Sequence, residues 1–167
     1  MAHPKWITPP SGVLKLNIHD VWNDITKRDG FGCVIHTNSS SFVAARYGSI
    51  NNVLSPVQAE AMAACLAVVW VSEIRYQNIL FECDSLQIVD SLRDPSTNIS
   101  FIGQILEDIK AFLPTITGAS FAHFRRQANE IALRLGRLGL TLSHICTWLE
   151  SPPSIIWDLL EVEASLN

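Results

Sequence analysis

Residues Ser55–Asp84 read SPVQAEAMAACLAVVWVSEIRYQNILFECD, and the change of pattern inside this stretch decides the fold. Ser55-Pro56 marks a helix start, and the Ala-rich run AEAMAACLAVVWVSEIR carries the helix to about Arg75. Asn78–Cys83 (NILFEC) is then too short for a second helix. It reads as a buried strand that ends at Asp84. A helix feeding directly into a buried strand is the unit from which layered α/β domains are built.

Upstream of this unit the period is two. Val13–Asp20 (VLKLNIHD) sets Val13, Lys15, Asn17 and His19 against Leu14, Leu16, Ile18 and Asp20, the mark of a half-buried strand. Val21–Gly30 is polar and turn-like. Phe31–His36 and Phe42–Ile50 give two more strands, joined by a polar turn at 38–41. Downstream, Ser85–Leu92 is a short helix ended by Asp94-Pro95, and Phe101–Leu113 is an amphipathic helix stopped by Pro114. Gly118–Phe124 supplies a fifth strand. Ala128–Leu149 reads as a long helical segment weakened by Gly136 and Gly139, and Ile155–Leu160 as a short docking helix after Pro152-Pro153.

Three meandering strands followed by αβ units predict an α/β fold: a mixed five-stranded sheet flanked by helices. The expected organisation is an extended leader over 1–12 with Trp6 packing onto the body, one domain over 13–148, and a tail over 149–167. One domain suits a chain of 167 residues, of which 48% are hydrophobic and 17% charged. That composition excludes intrinsic disorder.

The longest unbroken apolar run, Ala61–Val71, is short of a membrane span, and residues 1–10 lack a secretory signal. Cys33, Cys65, Cys83 and Cys146 are scattered singly, which suits reduced, buried thiols. The expectation is an intracellular chain, nuclear or cytoplasmic, that is neither secreted nor bound to membrane. A net charge of −4 gives no general grip on nucleic acid, so binding would fall to a local patch. Arg125, Arg126, Arg134 and Arg137 are the candidate.

The carboxylates carry the chemistry. Asp84 follows a buried strand at the carboxyl end, where open α/β sheets place ligands. Glu60 lies in the first turns of an otherwise apolar helix. With the element order, the segments KLNIHD, Gly30-Phe31-Gly32, SPVQAEAMA, FECDS and HFRRQAN resemble the type 1 ribonuclease H family, and most closely the reverse-transcriptase-like ribonuclease H domains of plants. The similarity runs over about 6–160.

That resemblance implies cleavage of the RNA strand of RNA–DNA hybrids, with two Mg²⁺ or Mn²⁺ ions held by four acids. Mg²⁺ takes hard oxygen ligands, and a paired-ion site must hold both ions near the attacking and leaving oxygens. Carried over, the helix acid is Glu60 and the strand-end acid is Asp84, the two expected metal ligands. The first-strand acid falls on His19 and the last-helix acid on Leu133. Asp20 is next to His19, but neighbouring strand residues face opposite ways, so it would serve only through a bulge or a register shift. Glu130, one helical turn before Leu133, is a second substitute. His19 is a nitrogen ligand tolerable to Zn²⁺ or Mn²⁺ and poor for Mg²⁺. His123 falls where some family members keep a histidine that assists product release, and Arg125, Arg126 and Asn129 form the expected nucleic-acid surface.

Three functions follow. The leading expectation is a hybrid- or RNA-binding domain with lost or reduced hydrolysis. A slow metal-dependent hybrid ribonuclease built on Glu60, Asp84 and Asp20 is the second. A protein-interaction module using Trp6, Trp148 and Trp157 is the third.

Overall fold

The structure is a computed structural model and describes residues 12–37, 39–124 and 130–165. Strands β1 (Leu14–Asn23), β2 (Arg28–His36) and β3 (Phe42–Ile50) form an antiparallel meander. Helix α1 (Pro56–Ile74) leads to β4 (Ile79–Cys83), followed by α2 (Leu86–Arg93) and α3 (Gly103–Phe112). Next come β5 (Ser120–His123), α4 (Glu130–Leu140), β6 (Cys146–Leu149) and α5 (Trp157–Ser165). The sheet order is β5-β4-β1-β2-β3-β6, with β4 parallel to both β1 and β5.

The sheet has six strands where the sequence predicted five. The expected helical segment Ala128–Leu149 divides instead: α4 ends at Leu140, and Cys146–Leu149 pairs antiparallel with β3. Gly136 and Gly139 are not helix weaknesses. They let α4 lie directly on the sheet, because a Cβ on Gly139 would strike the Gly48 carbonyl. Facing them, a Cβ on Gly32 would strike the Ala132 carbonyl of α4. Past β6, Ile156 is fully buried against Val34, Ala45, Tyr47 and Leu135, and Arg134 binds Asp158 and the Ile155 carbonyl. Residues 154–165 are therefore docked on α4 and the sheet.

Alternation along the strands sorts the core into two layers. Leu16 and Ile18 of β1 and Phe31, Cys33 and Ile35 of β2 pack with α1 on one face. Gly30, Gly32 and Val34 face α4 on the other. Helix α1 meets the length and composition of a membrane span, yet eight of its side chains, from Ala59 to Val71, are buried in the described fold. Its alanines allow a close approach to the sheet. The four cysteines are free thiols.

The opposite face carries a buried polar group. Lys15 Nζ lies 2.9 Å from Glu82 Oε1, and Asn17 Nδ2 donates to Glu82 Oε2 at 3.1 Å. Burial raises the Glu82 pKa, and Lys15 and Asn17 oppose the rise.

Candidate metal centre

The start of α1 is fixed by reciprocal capping. The Ser55 hydroxyl accepts from the Gln58 amide at 3.2 Å, and Gln58 Oε1 accepts from the Leu54 amide at 2.7 Å. Pro56 occupies the first turn, where its missing N–H costs nothing. This local lock sets Glu60 on the second turn of α1. Asp84 is held from the other side, between the end of β4 and the Ser55-like cap of α2, in which Ser85 Oγ accepts from Ile88 N.

Asp20 completes the arrangement. The ladder from Lys15↔His36 to Asn23↔Arg28 is continuous, with Asp20 opposite Phe31 and Trp22 opposite Asp29. Asp20 therefore shares the α1 face with Leu16, Ile18 and Phe31. The expectation that it needs a bulge or a register shift is corrected: the regular strand already points it inward. His19, the position matched to the first-strand acid, lies on the α4 face by the same alternation. The parity of Asp20 with the apolar Leu16 and Ile18 was the sequence signal for this, and the resemblance to the family pattern masked it.

One carboxylate oxygen each from Asp20, Glu60 and Asp84 lie within 4.8 Å of one another, and all three residues are half-buried. With Trp22 and Pro56 they line a cavity of about 220 Å³. Their charges converge on a neighbour: the Cys83 thiol is pushed up to about 12, mostly by burial and further by Asp84, Glu60 and Asp20. His19 is 1% exposed, and its Nδ1 stands 3.7 Å from Asp84 Oδ2. That separation is beyond a hydrogen bond, so His19 touches the centre from behind the sheet.

The donor set fits a hard divalent cation. Octahedral oxygens at about 2.0–2.1 Å from an ion stand about 2.9 Å apart when adjacent and about 4.2 Å when opposite. Oxygens already within 4.8 Å need side-chain shifts of only about an ångström or less to close on one ion.

The other expected residues are not brought here. Glu130 is exposed at the first residue of α4 and stands outside the carboxylate cluster, so it does not replace the missing acid. Leu133 is half-buried on α4, the helix that covers the opposite face. His123 is exposed at the end of β5, opposite Cys83. Arg125, Arg126 and Asn129 lie outside the described residues. Of their two companions, Arg134 is engaged with Asp158 while Arg137 is exposed. Trp6 also lies outside the described residues. Trp148 donates to the Tyr47 hydroxyl and Trp157 to the Pro152 carbonyl, so both are tied to their own chain.

The sequence reading missed Asp29. It is fully buried on the α1 face, and burial with the nearby charge of Glu60 raises its pKa to about 7, against a lowering by the Val21 backbone.

A mixed six-stranded sheet of this order, with carboxylates within β1, just past β4 and on α1, has the ribonuclease H-like fold. The family model described as reverse transcriptase-like matches residues 19–139, and the chain belongs to that family. Among solved structures, RNase H1 from Halobacterium salinarum is similar, with a TM-score of 0.69 and 20% identity over 77% of this chain and 98% of that one. LC11-RNase H1, solved in complex with an RNA/DNA hybrid, gives 0.65 and 15%, covering 76% of this chain and 96% of its own. The foamy viral protease-reverse transcriptase, also in complex with an RNA/DNA hybrid, gives 0.62 and 15% over 84% of this chain and 22% of the larger protein. No curated protein sequence matches the chain significantly.

Proposed function

We propose that the chain is a divalent-cation-dependent ribonuclease acting on the RNA strand of RNA–DNA hybrids, with a turnover well below that of a four-acid site. The observation that carries this reading is the convergence of Asp20 with Glu60 and Asp84. It restores a third anionic ligand to a site that the family pattern leaves with two. The hybrid-bound neighbours support the substrate class.

When bound, the cation would supply positive charge at the scissile phosphate and lower the pKa of an attacking water. The chain's part is to hold three oxygens in place. Asp20 rides on β1, Asp84 follows directly on the parallel neighbour β4, and Glu60 sits on a helix anchored by its cap, so the separations are set by rigid elements. Trp22 and Pro56 wall the cavity and limit water around it. With Leu133 in place of the last-helix acid, the centre has less charge for a second ion, which lowers the rate. Mn²⁺, less demanding in geometry and more tolerant of nitrogen near the site, suits this set better than Mg²⁺.

A second reading, a hybrid- or RNA-binding domain without hydrolysis, is favoured by Leu133 alone. Incubating an end-labelled hybrid with the protein in Mg²⁺ or Mn²⁺ separates the two. Metal-dependent cutting that Asp84→Asn abolishes supports the ribonuclease. Salt-sensitive retention of the hybrid without cutting in either metal supports the binder.

A further inference from the structure

We propose that the edge strand β6 pairs antiparallel with β6 of a second copy of this chain, joining two sheets into one. The surface is separate from the carboxylate centre, so the inference stands whether or not the chain cuts a hybrid.

The ladder shows which way the edge faces. β6 is the last strand of the sheet and meets β3 in the register Ala44↔Leu149 to Tyr47↔Cys146. The Glu150 amide donates to the Val43 carbonyl at 2.9 Å, which makes Val43 and Glu150 a hydrogen-bonded pair in that register. Such pairs alternate along an antiparallel ladder, so Trp148 and Cys146 bond to β3. The amides of Thr147 and Leu149 and the Thr147 carbonyl then point away from the sheet. An edge of this kind is a template for another strand. At the opposite edge, on β5, the Phe121 carbonyl is taken by the Arg93 guanidinium.

The side chains select the partner. Edges that stay single carry charge or proline, and Thr141–Leu149 holds no Lys, Arg, Asp, Glu or Pro. Instead Ile145, Trp148 and Leu149 are 44%, 41% and 54% exposed. Trp148 is already fixed by its bond to the Tyr47 hydroxyl, so its burial costs little side-chain freedom. The strand is also self-complementary. Of the pairings that match outward-facing residues, the one centred on Thr147 sets Ile145 against the partner's Leu149 and Cys146 against the partner's Trp148. All three exposed apolar side chains are covered, twice over by symmetry. One residue further on, exposed His144 meets the partner's Glu150 at each end, imidazole against carboxylate. The groups flanking the strand are therefore complementary in charge. A ladder of four residues a side falls below the standard interface of about 1,600 Å², so the dimer is expected to be weak, in the micromolar range or above.

The test is sedimentation velocity of the whole chain under reducing conditions, from about 1 μM to 1 mM. The wild type is expected to pass from monomer to dimer across this range. Thr147→Lys sets like charges opposite each other on the two-fold and should raise the dissociation constant by about tenfold or more. Leu149→Lys serves as a second variant, and circular dichroism checks that each is folded. In a mixture of isotope-labelled and unlabelled chains, NMR should show a nuclear Overhauser effect from the Cys146 Hα to the partner's Trp148 Hα. Dimerisation undiminished in either folded variant, or intermolecular contacts lying off β6, overturns the proposal. A wild type that stays monomeric throughout also overturns it, and leaves this edge to a strand of another protein.

Discussion

Asp20 and Phe31 face each other across the β1–β2 ladder, and this pairing commits Asp20 to the face covered by α1. A slip of one residue would send Asp20 to α4 and bring His19 inward. The contents of the candidate metal centre thus depend on strand register, which Gly30 and Gly32 help to fix because α4 tolerates no Cβ above them.

Register yields the first prediction. Asp20→Asn should weaken Mn²⁺ binding by more than about tenfold, as should Glu60→Gln. His19→Asp should not compensate in a chain lacking Asp20, because the shorter aspartate side chain would start from the α4 face, from which even the longer histidine reaches only to 3.7 Å of Asp84. Isothermal titration of Asp20→Asn against the double variant Asp20→Asn/His19→Asp checks this, and recovered affinity in the double variant would show that residue 19 faces the site.

The cap of α1 links stability to the site. Ser55→Ala removes the hydroxyl that accepts from the Gln58 amide and should cost about 1 kcal/mol. Because Glu60 sits one turn further on, cation affinity should fall along with the melting temperature. Ser55→Asp, which keeps a capping oxygen, should restore both. Thermal melts and Mn²⁺ titrations on the same samples read the two effects.

Close packing of α4 on β2 makes Gly32→Ala costly. The added methyl would meet the Ala132 carbonyl, and overpacking of this kind destabilises by about 1–3 kcal/mol. At about 2–4 °C per kcal/mol for a chain of this size, the melting temperature should drop by roughly 2–12 °C. Calorimetry checks it.

Much of this architecture was legible because the hydrophobic period changes where the elements change, from two in β1 to helical in α1. Two errors have physical causes. The polar stretch Val21–Gly30 reads as a turn, yet β1 and β2 run on through most of it to a tight reversal. In that reversal Asn23 Oδ1 accepts from the amides of Ile25 and Thr26, and Lys27 takes a φ of 53°. A side chain can close a turn in two or three residues, so polarity alone overstates its length, and Asp29 was hidden by that overstatement. The four-residue strand β6 was absorbed into a helix because its partner, β3, is distant in sequence, and pairing of that kind leaves no local period. Glu60 and Asp84 were legible because each sits near the boundary of a well-marked element, Glu60 in the first turns of α1 and Asp84 directly after β4. Asp20 was underrated because strand parity was given less weight than the family pattern at His19.

Buried carboxyls make stability depend on pH. Burial raises Glu163 from the ordinary 4.5 to about 7, opposed in part by Lys15. Between these values the folded chain holds a proton that the unfolded chain releases, so stability is greatest below about pH 4.5 for this group and is lost as pH rises through 7. Glu163→Gln should therefore raise stability at pH 8 by about 1–3 kcal/mol and change it little at pH 4.5. Urea denaturation of metal-free protein at the two pH values checks the sign.

The central claim, that Asp20, Glu60 and Asp84 together hold a divalent cation, is tested most directly by anomalous diffraction from crystals soaked in Mn²⁺. The account predicts a manganese peak within coordination distance of oxygens from all three side chains. A well-ordered site with no manganese, or a peak that leaves Asp20 turned away from Glu60 and Asp84, would contradict it.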